Sequence, residues 1–162
     1  MKTIAAGITG LMLIASPALA GDPPPLSFGG RVSKPAIALA KAGEPAGTWM
    51  SADGGTKVRI VNCGDALCGT VVWLKHPVDS ATGKPKTDKF NPDESKKSRP
   101  MLGLQVIQSM RPNGADRWSG EIYNADDGRT YRSNLMLQGP TQARVEGCVL
   151  IFCLGESWTR TN

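Results

Sequence analysis

Trp118-Ser119-Gly120-Glu121-Ile122-Tyr123, then Asn124-Ala125-Asp126-Asp127-Gly128, then Tyr131-Arg132-Ser133-Asn134-Leu135-Met136-Leu137 is the stretch that decides the fold. Its last part places Tyr131, Leu135 and Leu137 on one face of a strand. Gly128 can take the left-handed conformation that closes a hairpin. The stretch therefore reads as strand, turn, strand.

The same grammar extends in both directions. Thr48-Trp49-Met50 precedes the turn signature Asp53-Gly54-Gly55. Lys57-Val58-Arg59-Ile60-Val61 alternates with period two, so Val58 and Ile60 face one side. Gly69 to Lys75 contains Val71-Val72-Trp73-Leu74, a run of β-formers too short for a helix. Leu104–Met110, Gln142–Val149 and Phe152–Arg160 complete a set of about eight strands, with turn signals every 8–12 positions. Such spacing predicts an all-β, antiparallel sandwich or barrel. A closed barrel of about eight strands can hold one small ligand.

Upstream, the character differs. Lys2, the apolar stretch Ile4–Ala15, the break at Ser16-Pro17 and Ala18-Leu19-Ala20 follow the layout of a secretory signal peptide, expected over 1–20. No cysteine precedes Cys63, so no thiol lies near the cleavage point to carry a lipid. Residues 21–46 read as a flexible, Pro-rich lead-in that includes Asp22-Pro23-Pro24-Pro25. Ala36–Ala42 could form two helical turns, confined by Pro35 and Gly43. The barrel domain is expected over 47–162.

Composition narrows the classes. The 162 residues are 40% hydrophobic and 20% charged, as in folded proteins rather than disordered ones. No apolar run reaches the roughly 18–20 residues of a spanning helix, so no transmembrane segment is expected after leader cleavage. Removing Lys2 takes the net charge from +5 to +4. That excess suits a solvated surface, and outside the cytoplasm it points to anionic envelope surfaces or acidic ligands rather than nucleic acid. A periplasmic or secreted protein is expected; its oligomeric state is not legible.

Cys63 and Cys68 are separated by four residues, as are Cys148 and Cys153. An even count in an exported chain reads as disulfides. All three connectivities are open from sequence. Pairing within each frame is the expectation, because each can close across a short hairpin. A four-cysteine zinc site competes poorly in an oxidising compartment, and the spacing is wrong for a redox dithiol. No metal or other cofactor is expected.

The remaining long gap, 76–101, holds Lys84, Lys86, Lys89, Lys96, Lys97 and Arg99 against Asp79, Asp88, Asp93 and Glu94. A loop of this length is either functional or disordered.

No catalytic set emerges. The one histidine, His76, cannot make a two- or three-histidine metal site, and no Gly-x-Ser-x-Gly elbow accompanies it. Asp93, Glu121, Asp126 and Asp127 could supply paired acids, but Asp93, Asp126 and Asp127 sit in turn signatures where aspartate bonds the backbone. The aromatic residues are the better lead. Trp49, Trp73, Trp118 and Tyr131 fall on expected strands and could line a cavity for a small amphipathic or anionic molecule. Asn91 and Asp93 could add hydrogen bonds, and Arg99 could meet a carboxylate or phosphate. The competing readings are a pocketless envelope-associated protein acting through the basic loop, and an envelope hydrolase.

Several motifs in order resemble a family of small exported bacterial proteins, domain of unknown function 2147. They are Gly47-Thr48-Trp49, Val58–Gly64, Leu67–Leu74, Asn91-Pro92-Asp93, Arg99–Leu104, Trp118–Tyr123, Asp127–Tyr131 and Ser157–Arg160. The resemblance covers about Ala46 to Arg160 and implies a lipocalin-like (calycin) barrel, with no established reaction. The chain departs from the family pattern at Asn124-Ala125, where an Asp-Pro pair is expected.

Overall fold

A computed structural model describes residues 43–161. The expected leader and positions 21–42 of the lead-in lie outside the described residues.

All eight expected strands form: β1 (Gly47–Met50), β2 (Thr56–Cys63), β3 (Ala66–Leu74), β4 (Gln105–Pro112), β5 (Arg117–Asn124), β6 (Arg129–Leu137), β7 (Gln142–Val149) and β8 (Phe152–Thr161). Each pairs antiparallel with the next, and β8 returns to β1, so the sheet closes into a barrel. One 3-10 turn, Glu94–Lys96, is the only helical piece among the described residues. The alternation read from sequence sets the inward face: Val58, Ile60 and Leu135 are buried. β3 begins three residues earlier than its expected start at Gly69. Gly64-Asp65 makes a two-residue turn that places Ala66 opposite Cys63 and Cys68 opposite Val61.

Both disulfides are local. Cys63–Cys68 and Cys148–Cys153 have Cα separations of 5.9 and 4.0 Å. Cys148 and Cys153 face each other directly across β7 and β8, the arrangement that brings side chains within bonding reach.

An up-and-down barrel has two unlike ends. At one, where β8 finishes, Arg160 is a plug. Its guanidinium lies 4.3 Å from the Trp49 ring. It donates to the carbonyls of Pro140 (2.8 Å), Ala46 (2.7 Å) and Glu44. Gly47 is needed for this. It sits at φ 142°, and a Cβ there would lie 2.4 Å from Arg160 Nη1. Trp49, Ile60, Ile107, Met110 and Leu135, all essentially inaccessible, fill the interior.

The β1–β2, β3–β4, β5–β6 and β7–β8 connections gather at the other end, which is less complete. β1 has four residues and pairs only with Thr159–Thr161 of β8. Phe152–Trp158 therefore runs on past β1 with a strand partner on the β7 side alone.

The long β3–β4 connection is folded. Val78 bridges Pro85 and Thr87 bridges Pro100, and Asp88 N and Met101 N donate to Arg99 and Lys86 carbonyls at 3.0 Å. It packs onto the β5–β6 turn at Gly128, which has φ 71°. A Cβ on Gly128 would fall 1.9 Å from the Phe90 carbonyl oxygen, so the close approach, as well as the turn, requires glycine.

Candidate functional site

A cavity of about 570 Å³ lies at the open end, within the size range of small-molecule sites. Ile122 and Tyr131 form one wall, Val145 and Gly147 the next, and Leu154, Glu156 and Trp158 of β8 the third. The short β1 leaves room for it, and Gly147, an inward-facing position with no side chain, widens it. A second hollow of about 270 Å³ shares Ile122, Glu156 and Trp158 and reaches Val58, Val71 and Val106.

Two hydrogen-bonded pairs mark this cavity. Trp158 Nε1 donates to Glu156 Oε1 at 2.5 Å, so the indole is fixed and the carboxylate is held in the cavity wall. Tyr131 OH donates to Asp127 Oδ2 at 2.5 Å, and this bond, then burial, raises the phenol above its ordinary value. Burial pushes the Asp127 carboxyl up, but hydrogen bonds from Tyr131 and the Arg129 amide outweigh it and the net shift is downward. One carboxylate, Glu156, thus stands in an otherwise largely apolar and aromatic wall, while Asp127 holds the Tyr131 hydroxyl from outside the lining.

Beside it, a buried polar cluster anchors the long loop. Asp88 is fully inaccessible and accepts from Tyr123 OH (2.6 Å), Asn91 Nδ2 (2.8 Å) and Arg99 Nε (2.8 Å). Arg99 Nη2 is also 2.8 Å from Asp88 Oδ2, and the guanidinium lies 5.4 Å from the Tyr123 ring centre. Asn91 Nδ2 reaches Tyr123 OH as well, at 2.9 Å. Burial, then the Asp88 carboxylate, raises the Tyr123 phenol. Each buried polar atom here has a partner, as burial of a charge demands.

The candidate residues read from sequence separate into distinct places. Tyr131 lines the cavity. Asn91 and Arg99 come together, but around Asp88. Trp49 and Trp118 are sealed into the core. Trp73 points outward, 39% exposed, with Lys57 Nζ 5.4 Å from its ring. Asp93 caps the 3-10 turn, accepting from Ser95 N (3.0 Å) and Ser95 Oγ (2.6 Å) and pairing with Lys96 at 2.9 Å. Those contacts lower its carboxyl to about 2. Asp88 and Glu156 were not singled out by sequence as site residues. An acid between Thr87 and Lys89 carries no local signal, whereas Glu156 shares the alternate positions 154, 156 and 158 with Trp158.

The loop's charge is mostly spent internally. Asp79 pairs with Lys89, Asp93 with Lys96, Glu94 with Lys97 and Asp88 with Arg99, which leaves Lys84 and Lys86 outside these ion pairs.

A meander of eight antiparallel strands closed on itself, plugged at one end and hollow at the other, is a lipocalin-like barrel. In agreement, it matches the fold of HP1028 from the human pathogen Helicobacter pylori, described as belonging to the lipocalin family. The TM-score is 0.63 at 17% identity, covering 75% of this chain and 85% of that one. Residues 47–160 match a family described as an uncharacterised protein conserved in bacteria, domain of unknown function 2147, and the chain belongs to it. No curated protein matches the chain.

Proposed function

We propose that this protein binds one small amphipathic molecule in the open-end cavity, in a compartment outside the cytoplasm. The observation that carries the reading is the cavity itself: about 570 Å³, lined mainly by apolar and aromatic side chains, with the Glu156 carboxylate among them. A chain burying roughly 200 Å² of apolar surface there would gain about 5 kcal/mol. The Glu156 carboxylate favours a polar end that donates hydrogen bonds, such as a hydroxyl or an amine, over an anionic head group. Two disulfides and the leader-like first twenty residues support export. Action through a basic loop has less behind it, since four of the loop's cations meet its own four acids.

The test is a tryptophan-fluorescence titration with a long-chain alcohol, amine and fatty acid, reading Trp158 in the cavity wall. Gly147→Leu should fill the site without strain, because a Cβ there meets Ile122 and Tyr131 at an ordinary 3.7 Å. We expect the alcohol and amine to bind the native protein and to bind Gly147→Leu at least about tenfold more weakly. A flat native titration with all three, or equal affinity in Gly147→Leu, would sink the proposal.

A further inference from the structure

The structure assigns a second role to the β7–β8 hairpin tip, which inserts into the surface of an anionic lipid bilayer and seats the barrel mouth-first on it. This does not depend on the cavity being a ligand site.

Val149, Leu150, Ile151, Phe152 and Leu154 are 58, 77, 86, 72 and 84% exposed. Nowhere else among the described residues do large apolar side chains cluster in exposure this way, and single exposed ones need no explanation. Four of them are consecutive. Val149, Phe152 and Leu154 share the face turned to the barrel mouth and Leu150 and Ile151 form the turn, so the apolar groups cover both that face and the end that would enter a bilayer first.

Its backbone is prepared for such a medium. Val149 pairs with Phe152 across the tip, Cys148 is bonded to Cys153 just behind it, and Arg132 donates to the Leu150 carbonyl. The Leu150 carbonyl and the backbone of Val149 and Phe152 thereby have partners within the protein, which lessens what insertion must desolvate. Leu150 holds φ 54°, a left-handed conformation that favours glycine or asparagine, so neither solubility nor local backbone energy explains a leucine there.

Charge and size select the occupant. Exposed Arg132 sits at the neck of the tip, where phosphate groups of a bilayer would lie; Lys84 and Lys86 belong to the loop at the same end, where Asp127 is engaged by Tyr131 and Glu156 by Trp158. Five side chains on a projecting hairpin fall far short of the roughly 20–30 residues each partner contributes to a stable protein interface. They are enough to add apolar insertion to electrostatic attraction. Val149 and Leu154 also border the cavity, so a molecule leaving the bilayer would meet the barrel mouth without crossing water.

Flotation with vesicles of phosphatidylethanolamine and phosphatidylglycerol tests this. The comparison is between the native chain and L150N/I151S with the same N-terminus. Asparagine tolerates the left-handed backbone and Ile151 is 86% exposed, so the variant should keep the native melting temperature. We expect native protein to float with the vesicles and the variant to bind at least about tenfold more weakly. Absence of native binding, or equal binding by the variant, overturns the proposal. Self-association of the native protein that the variant abolishes, without vesicle binding, also overturns it and identifies a second copy as the occupant.

Discussion

Replacing Arg99 by alanine tests the buried cluster most directly. Asp88 is fully inaccessible and has three side-chain partners, of which only Arg99 carries a compensating charge. Arg99→Ala would leave a buried carboxylate with Tyr123 and Asn91 alone. Orphaning one partner of a buried ion pair costs about 3–5 kcal/mol. Here the low end, about 3 kcal/mol, applies, because the Arg99 side chain is 38% exposed and water can enter its place. Asp88→Asn removes the charge but keeps the shape and an acceptor, and should cost only about 1–2 kcal/mol. Once Asp88 is neutral, losing Arg99 matters less, so the double variant should be milder than the sum of the singles. Urea unfolding followed by fluorescence should show the Arg99→Ala midpoint lowered by about 1–2 M. If the loop detaches before the barrel unfolds, the loss appears as faster tryptic cleavage at Lys86 and Lys89 instead. An Arg99→Ala protein with the native midpoint and the native cleavage rate, or strictly additive costs, would refute the reasoning.

Gly128→Ala should destabilise by more than about 2 kcal/mol, roughly twice a backbone penalty alone, because its Cβ meets the Phe90 carbonyl at 1.9 Å; a native melting temperature would contradict the docked loop. Tyr123 has its phenol raised above 10.0 by burial and by Asp88. Its neutral form is the one the fold favours, so this stability is complete below pH 10 and is lost as pH rises through the higher folded value. Tyr123→Phe should flatten that alkaline decline while lowering stability at neutral pH by about 1.5–3 kcal/mol, read from denaturant midpoints across pH.

The strands were legible because β-structure writes itself locally. Val58 and Ile60 alternate with charged residues, and Asp53-Gly54-Gly55 and Asp127-Gly128 punctuate the ladder. Trp73 was harder. Val71-Val72-Trp73-Leu74 is apolar at every position, so no alternation shows which face is inward, and the β-bulge between Lys57 and Val58 shifts the register beside it. Asp88 was illegible for a different reason. Its partners Arg99 and Tyr123 lie 11 and 35 residues away in an aperiodic loop and on β5, and only the tertiary fold brings them together. Arg99 and Asn91 carried a functional look, polar residues in a basic loop, that belongs equally to the buried cluster. The cavity depends on what is missing, a side chain at Gly147 and length in β1, and an absence leaves little trace in a hydrophobic pattern.

The two disulfides have the same spacing but unequal surroundings, and that difference is measurable. Each closes a five-residue separation, for which chain entropy alone predicts about 2 kcal/mol. Cys63–Cys68 joins the last residue of β2, only three past its β1 pairing at Ile60, to β3, whose other edge pairs with β4. Cys148–Cys153 joins β7 to the part of β8 that has run past β1, where β7 supplies the strand ladder. Losing the second bridge should therefore open the Phe152–Ser157 segment locally, whereas losing the first should mainly lower global stability. Hydrogen exchange of Cys148→Ser/Cys153→Ser should show faster exchange confined to the ends of β7 and β8, with the amides of β4 and β5 changed only by the global shift. The Cys63→Ser/Cys68→Ser protein should show no such local acceleration in β8. Equal, uniform acceleration in both variants would mean that β8 is held by more than β7 and the bridge, and the open end would have to be redrawn as a closed one.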